Sequence, residues 1–187
     1  MTDHFALLGQ ERRPWLDAEA VKEAFHRRSA ESHPDVPGSG DAGYFAELNA
    51  AYTVLRDPAS RLRHLLELTS PEAATGQAPP PAELGDLFMR IGAMKRRLDA
   101  LAAAQSAAGS PLARALLAGE EAAARRELSA VRVALDAALA AADAELRELD
   151  GRWAGDETAE LVHLYHRLAY LGRWQAQSRE AALRWET

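Results

Sequence analysis

The chain has 187 residues, 22 Lys and Arg against 28 Asp and Glu, a formal net charge of -6 and no cysteine. That length fits one large domain or two small ones with a true core, and the missing thiol excludes disulfides, thiolate zinc sites, cysteine-ligated clusters and thiol catalysis. Alanine supplies roughly a fifth of the residues while Val, Ile and Thr together supply only about 7%, a balance that favours helices over strands and sets the fold class as all-α.

The charge is spread evenly, with 8 basic and 11 acidic residues before position 71 and 14 and 17 after it. No basic tail exists to support nonspecific nucleic-acid binding. The N-terminus lacks the basic start and apolar run of a signal peptide, and no stretch reaches the roughly 18 apolar residues of a membrane span. A soluble cytoplasmic protein, a monomer or weak dimer, is the expectation.

In chain order, Phe5, Leu7 and Leu8 form a small apolar start, followed by an irregular stretch ending at Pro14 and Trp15. Asp17 is a good N-cap for a helix running through Val21 and Phe25. Pro34 disfavours helical backbone in the residue before it, so that helix is expected to end near Ser32. A loop with Pro37, Gly38, Gly40 and Gly43 follows. The next helix shows Phe45, Leu48, Tyr52 and Leu55 on one face, and Asp57-Pro58 stops or kinks it. Residues 60–68 read as a further helical piece. Residues 70–82, with three consecutive prolines, read as a linker.

Beyond the linker the spacing predicts three longer helices. The first carries Leu84, Leu87, Phe88, Ile91, Met94, Leu98 and Leu101; Ser110 caps the second, with Pro111 in its first turn. The second carries Leu128, Val131, Leu135, Leu139, Ala142, Leu146 and Leu149 and stops at Asp150-Gly151. Asp156 is the expected cap of the third, whose stripe is Leu161, Leu164, Tyr165, Leu168, Leu171 and Gln175. Three amphipathic helices with short connections predict an antiparallel bundle. The division expected is 1–69, a linker at 70–82, and a bundle over 83–187.

Residues 33–35 read His-Pro-Asp, between a helix and a Gly-rich loop, and the helix beyond reads Leu48-Asn49-Ala50-Ala51-Tyr52-Thr53-Val54-Leu55-Arg56-Asp57-Pro58 with Arg61 following. With the Phe5-x-Leu7-Leu8-Gly9 opening, this arrangement resembles a J domain, the module that couples co-chaperones to DnaK-type ATPase chaperones. The Leu65-Leu66-x-Leu68 exit, the terminal bundle and the closing segment Arg167-Leu168-Ala169-Tyr170-Leu171-Gly172-Arg173 extend the likeness over the whole chain, to the HscB (Jac-type) co-chaperones of iron–sulfur cluster assembly.

The resemblance implies an antiparallel helical hairpin presenting His33, Pro34 and Asp35 at its tip, with Pro34 restricting the loop so that its neighbours are held outward. That tip and the basic residues Lys22, Arg27 and Arg28 are then expected to dock on a DnaK/HscA-type ATPase and accelerate ATP hydrolysis. It also implies that Leu87, Phe88 and Met89 on the first bundle helix, with Arg96 beside them and Tyr170 on the last helix, hold an iron–sulfur scaffold protein of the IscU type.

The bare pattern agrees in part: three consecutive apolar residues span about 200° of a helix, so Phe88 or Met89 is left partly exposed. The chain departs from the family at Glu31, Ser32 and Val36, which make the tip less basic, and at Ala93, Arg96 and Ala100, where the family carries acids. Either the partner's charges have changed in step or the client differs. A helical adaptor whose J-like module has lost ATPase coupling is the reading from another class.

Neither His33 with Asp35 nor His163 with His166 has the further ligand a metal site needs. No Gly-rich phosphate loop or Ser–base pair is present. The chain is expected not to be an enzyme and to need no cofactor.

Overall fold

The computed structural model describes residues 2–31, 42–74 and 78–185. Among them every regular element is a helix: α1 (His4–Leu8), α2 (Ala18–Glu31), α3 (Ala42–Arg56), α4 (Pro58–Thr69), α5 (Pro71–Ala74), a 3₁₀ turn (Ala82–Leu84), α6 (Gly85–Ala107), α7 (Pro111–Gly151) and α8 (Thr158–Trp185). The expected all-α class is what the chain adopts. The His-Pro-Asp tripeptide at 33–35 lies outside the described residues.

Local chemistry fixes most of the boundaries. The Asp3 carboxylate accepts from the backbone N–H of Phe5 and Ala6, and Gly9 closes α1 in the left-handed region at φ 64, which only glycine enters cheaply. A Cβ at Gly9 would also come within 2.9 Å of Arg28 Nη2. Asp17 accepts from the N–H of Ala20 at 2.9 Å, as its N-cap reading requires. Asp57 accepts from Ser60 at 2.8 Å with Pro58 in the first turn, so Asp57-Pro58 ends one helix and starts another. Ser110 accepts from Ala113 ahead of Pro111. The start of α8 differs from the expected cap: the Glu157 carboxylate, not Asp156, receives the N–H groups of Ala154 and Gly155, and the helix opens at Thr158.

The molecule divides into two compact units, Met1–Ala78 with Ala142–Ala169, and Pro79–Ala141 with Tyr170–Thr187. These units cut through α7 and α8 and so do not follow the chain order of the sequence division. Within the stretch read as a linker, Pro71–Ala74 forms a helical turn and Ala74 is buried.

The first unit buries Phe5, Leu8, Val21, Leu48, Ala51, Leu55, Leu62, Leu65 and Leu66, joined by Leu146, Leu149, Leu161, Leu164 and Leu168 of α7 and α8. Phe45, placed on the apolar face of α3 by its spacing, is instead 48% exposed, while Ala51, outside that stripe, is buried. The α2–α3 pair is tied by Phe25 stacked on Tyr52, ring centroids 4.7 Å apart.

At the centre of this unit stands a charge. Arg61 is 3% exposed. It donates through Nε to the carbonyl of Pro14 at 2.8 Å and through Nη1 to the carbonyl of Leu55 at 2.7 Å. It thereby satisfies an orphan carbonyl at the end of α3 and one in the irregular segment after α1. Burial pushes the guanidinium down to about 10, while Asp57, Asp143 and Asp150 pull it back up, so it stays charged at neutral pH. The segment it anchors holds α7: Arg13 pairs with Asp150 at 2.8 Å, the Trp15 N–H donates to the same carboxylate at 3.2 Å, and Arg147 lies over the Trp15 ring at 4.5 Å.

In the second unit α6 and α7 run antiparallel, since Arg97 pairs with Glu127 while the later Gln105 reaches back to the earlier Glu121. The same reversal joins α7 and α8, where Asp136 meets Gln175 in this unit and Glu145 meets Arg167 in the other. Leu84, Ile91, Met94, Leu98 and Leu101 are buried in a stripe close to the expected one, as are Leu128, Val131 and Leu135. On α8 the stripe departs from it: after Leu171 the buried positions are Trp174, Ser178, Ala182 and Trp185, and Gln175 lies beside them, paired to Asp136.

Replacing Arg61 with Ala strands two buried carbonyls, and we expect a loss of about 2–4 kcal/mol in urea unfolding. A loss within experimental error would mean water replaces the guanidinium. A pH effect accompanies it. Burial, and secondarily the neighbouring His64, lowers the pKa of His4; burial and His163 lower that of His166. Groups with depressed folded pKa bind fewer protons than in the unfolded chain below its value of about 6.5, so their contribution is full above that pH and lost as pH falls through the folded values. The urea midpoint should therefore drop between pH 7 and 5, and drop less in His4→Gln and His166→Gln.

Candidate functional site

Two surfaces carry the residues singled out from the sequence. The first is the outer face of α2. Lys22 is exposed and paired with Glu19 at 3.0 Å, a contact that holds its ammonium proton more tightly than usual. Such an exposed pair contributes little to stability and is easily exchanged for another carboxylate. Arg27 is exposed, whereas Arg28 is half-buried and extends to Gly9 beneath it. The three basic residues therefore divide: Lys22 and Arg27 face outward, and Arg28 is engaged with the α1 turn. All three precede the His33-Pro34-Asp35 segment directly in the chain.

The second surface is aromatic. Phe88 and Met89, successive on α6, are 48% and 64% exposed, while Leu87 is half-buried. The half that Phe88 buries lies on Trp174 of α8, ring centroids 5.9 Å apart and tilted 35°. Tyr170, one turn earlier on α8, stands 5.6 Å from the same indole, and the Arg173 guanidinium covers its ring at 4.9 Å. The result is a continuous platform: a buried Trp174 beneath, Phe88 and Tyr170 on its edges, and Met89 projecting beyond.

Leu87, Phe88, Met89 and Tyr170 were singled out from the sequence; Trp174, the residue that binds them together, was not. The signal was present, since Trp174 lies three residues after Leu171 and Gln175 lies four after it, and both spacings fit a helix face. An aromatic is the better choice for a buried position. Arg96 is exposed, two turns along α6 from Met89, and its guanidinium lies over Gly92.

The remaining histidines do not build a third site. His163 lines a shallow cleft with Glu145, Glu148, Arg152 and Glu160, and among the described residues no group of three His, Cys, Asp or Glu can hold a metal ion. No helix among them is long and apolar enough to cross a membrane.

The DnaJ domain family matches residues 3–64, a range that includes the His-Pro-Asp tripeptide. A co-chaperone protein HscB homolog of Azoarcus sp. is 35% identical over 79 residues, 38% of this chain and 45% of that one. A chaperone protein DnaJ of Nostoc punctiforme is 35% identical over 88 residues, 46% of this chain and 22% of that one. The chain thus spans less than half the length of these curated relatives. The solved structure of the chaperone HscB from Vibrio cholerae superposes with a TM-score of 0.60 at 19% identity, covering 98% of this chain and 99% of that one.

Residues 3–64 are thus matched as a DnaJ domain, and over its length the chain shares the fold of the chaperone HscB.

The platform makes a stability prediction. Trp174→Ala removes a buried indole and should cost about 3–5 kcal/mol in thermal or urea unfolding, whereas Phe88→Ala, half in solvent already, should cost about 1 kcal/mol. Equal losses would place Phe88 in the core and remove it from the surface.

Proposed function

We propose that this protein is a co-chaperone that engages a DnaK/HscA-type ATPase through its J domain and delivers an iron–sulfur scaffold protein of the IscU type held on its helical bundle. The observation that carries the first half is the DnaJ match over residues 3–64 with His33, Pro34 and Asp35 inside it. Pro34 fixes its own φ and restricts the backbone of the residue before it. Lys22 and Arg27 on the outward face of α2 are suited to steer an acidic surface into place, with more effect on encounter rate than on final affinity.

The second half is supported by the platform of Phe88, Met89, Tyr170 and Trp174, because an exposed aromatic patch on a rigid helix pair is the kind of surface that interfaces use as an anchor. Delivery then follows from connection alone. A client on the bundle and an ATPase on the J domain are parts of one chain, so each raises the other's effective concentration without new contacts. The co-chaperone itself performs no chemistry in this scheme; ATP hydrolysis belongs to its partner.

The decisive variant is His33→Gln. Stimulation of a DnaK-type ATPase should fall to the basal rate while helicity by circular dichroism stays unchanged. Undiminished stimulation would reject the J-domain mechanism and favour a helical adaptor instead.

A further inference from the structure

We infer that the platform on α6 and α8 is built for an acidic partner: a folded protein presenting an apolar side chain flanked by carboxylates. This rests on reading the platform as the client-binding face, and it concerns the charge that the client must carry.

The argument starts from position on the helix. Met89 and Arg96 are seven residues apart and so lie on one face of α6, with Gly92 between them. Gly92 has no side chain, and a Cβ placed there would meet only the Arg96 Nη1 at 3.5 Å. The guanidinium therefore lies back along the helix towards Phe88 and Met89. Its immediate neighbour Lys95 is neutralised by Asp99 at 2.9 Å, and Arg97 by Glu127 at 3.0 Å on the flank. Among the described residues neither Arg96 nor Arg173 has a carboxylate partner. Arg173 instead covers the Tyr170 ring at 4.9 Å.

Exposed Arg90, next to Met89, adds a positive charge and exposed Asp86 a negative one, so the rim of the platform is net positive on a chain whose overall charge is -6. An arginine left free at the edge of an aromatic patch is poised to accept a carboxylate in a bidentate pair as the apolar contact excludes water. A partner with Lys or Arg at those positions would meet like charge at close range and be rejected.

The test uses the full chain and an IscU-type scaffold protein from the same organism, titrated calorimetrically at low and moderate salt. The parent should bind, binding should weaken with salt, and Phe88→Ala and Arg96→Glu should each weaken it by about ten-fold or more, with Arg96→Gln intermediate. Circular dichroism of the exposed-site Arg96 variants checks that folding is unaffected. If Phe88→Ala weakens binding but Arg96→Glu leaves it equal or tightens it, the client reading stands and the acidic-partner inference is overturned. If the parent does not bind, or Phe88→Ala binds as well as the parent, the client reading itself falls and the inference falls with it.

Discussion

A buried guanidinium holds the first unit together. Arg61 sits on α4, yet both of its hydrogen bonds end on other segments: the carbonyl of Leu55 near the end of α3 and that of Pro14 in the chain between α1 and α2. A planar donor with a fixed fork can serve two carbonyls at once, which a lysine or an amide cannot do over that span. The cost of burying its charge is offset by Asp57, Asp143 and Asp150, two of which come from the end of α7. One residue thus orders an irregular segment that has no helix of its own to order it.

What that segment does next explains its constraint. Pro14 is held by Arg61, and its neighbours on both sides, Arg13 and Trp15, converge on Asp150, while Trp15 receives the Arg147 guanidinium on its ring. A carboxylate that is nearly buried and takes both an arginine fork and a backbone N–H is a strongly committed partner. The end of α7 is therefore part of the unit built on the J domain, and α8 follows it, with Thr158 meeting Ser70 at 3.2 Å and Arg167 pairing with Glu145. The surfaces proposed for binding, by contrast, are less tied into such networks. Met89 and Arg96 have no ion pair or ring contact among the described residues, and the Lys22 pair is fully in solvent.

Much of this was legible in the chain. Composition determined the helical class, because alanine-rich sequence poor in β-branched residues has no other regular structure to form. Asp17, Asp57-Pro58 and Ser110-Pro111 mark helix boundaries through hydrogen bonds and dihedral limits that act within four residues, so sequence alone carries them. The His-Pro-Asp tripeptide with its flanking helices pointed to the J domain for the same reason: all of its determinants lie close together in the chain. Periodicity placed Ile91, Met94, Leu98, Leu128, Val131 and Leu135 in the core, and the three apolar residues at 87–89 implied that one or two must be exposed.

Tertiary structure decided what depends on partners far apart in sequence. Arg61 reads as an ordinary surface arginine until α3 and the Pro14 turn close over it, since only their unpaired carbonyls make its burial favourable. Phe45 fits an apolar stripe by spacing yet stands half in solvent, which spacing along one helix does not reveal. Trp174 and Gln175 are equally placed on a helix wheel; which of them turns inward is settled by Phe88, eighty-odd residues earlier. The two compact units cut across α7 and α8 for the same physical reason. Periodicity says that a helix has an apolar face, but the surface that covers each turn of that face is chosen by the rest of the chain.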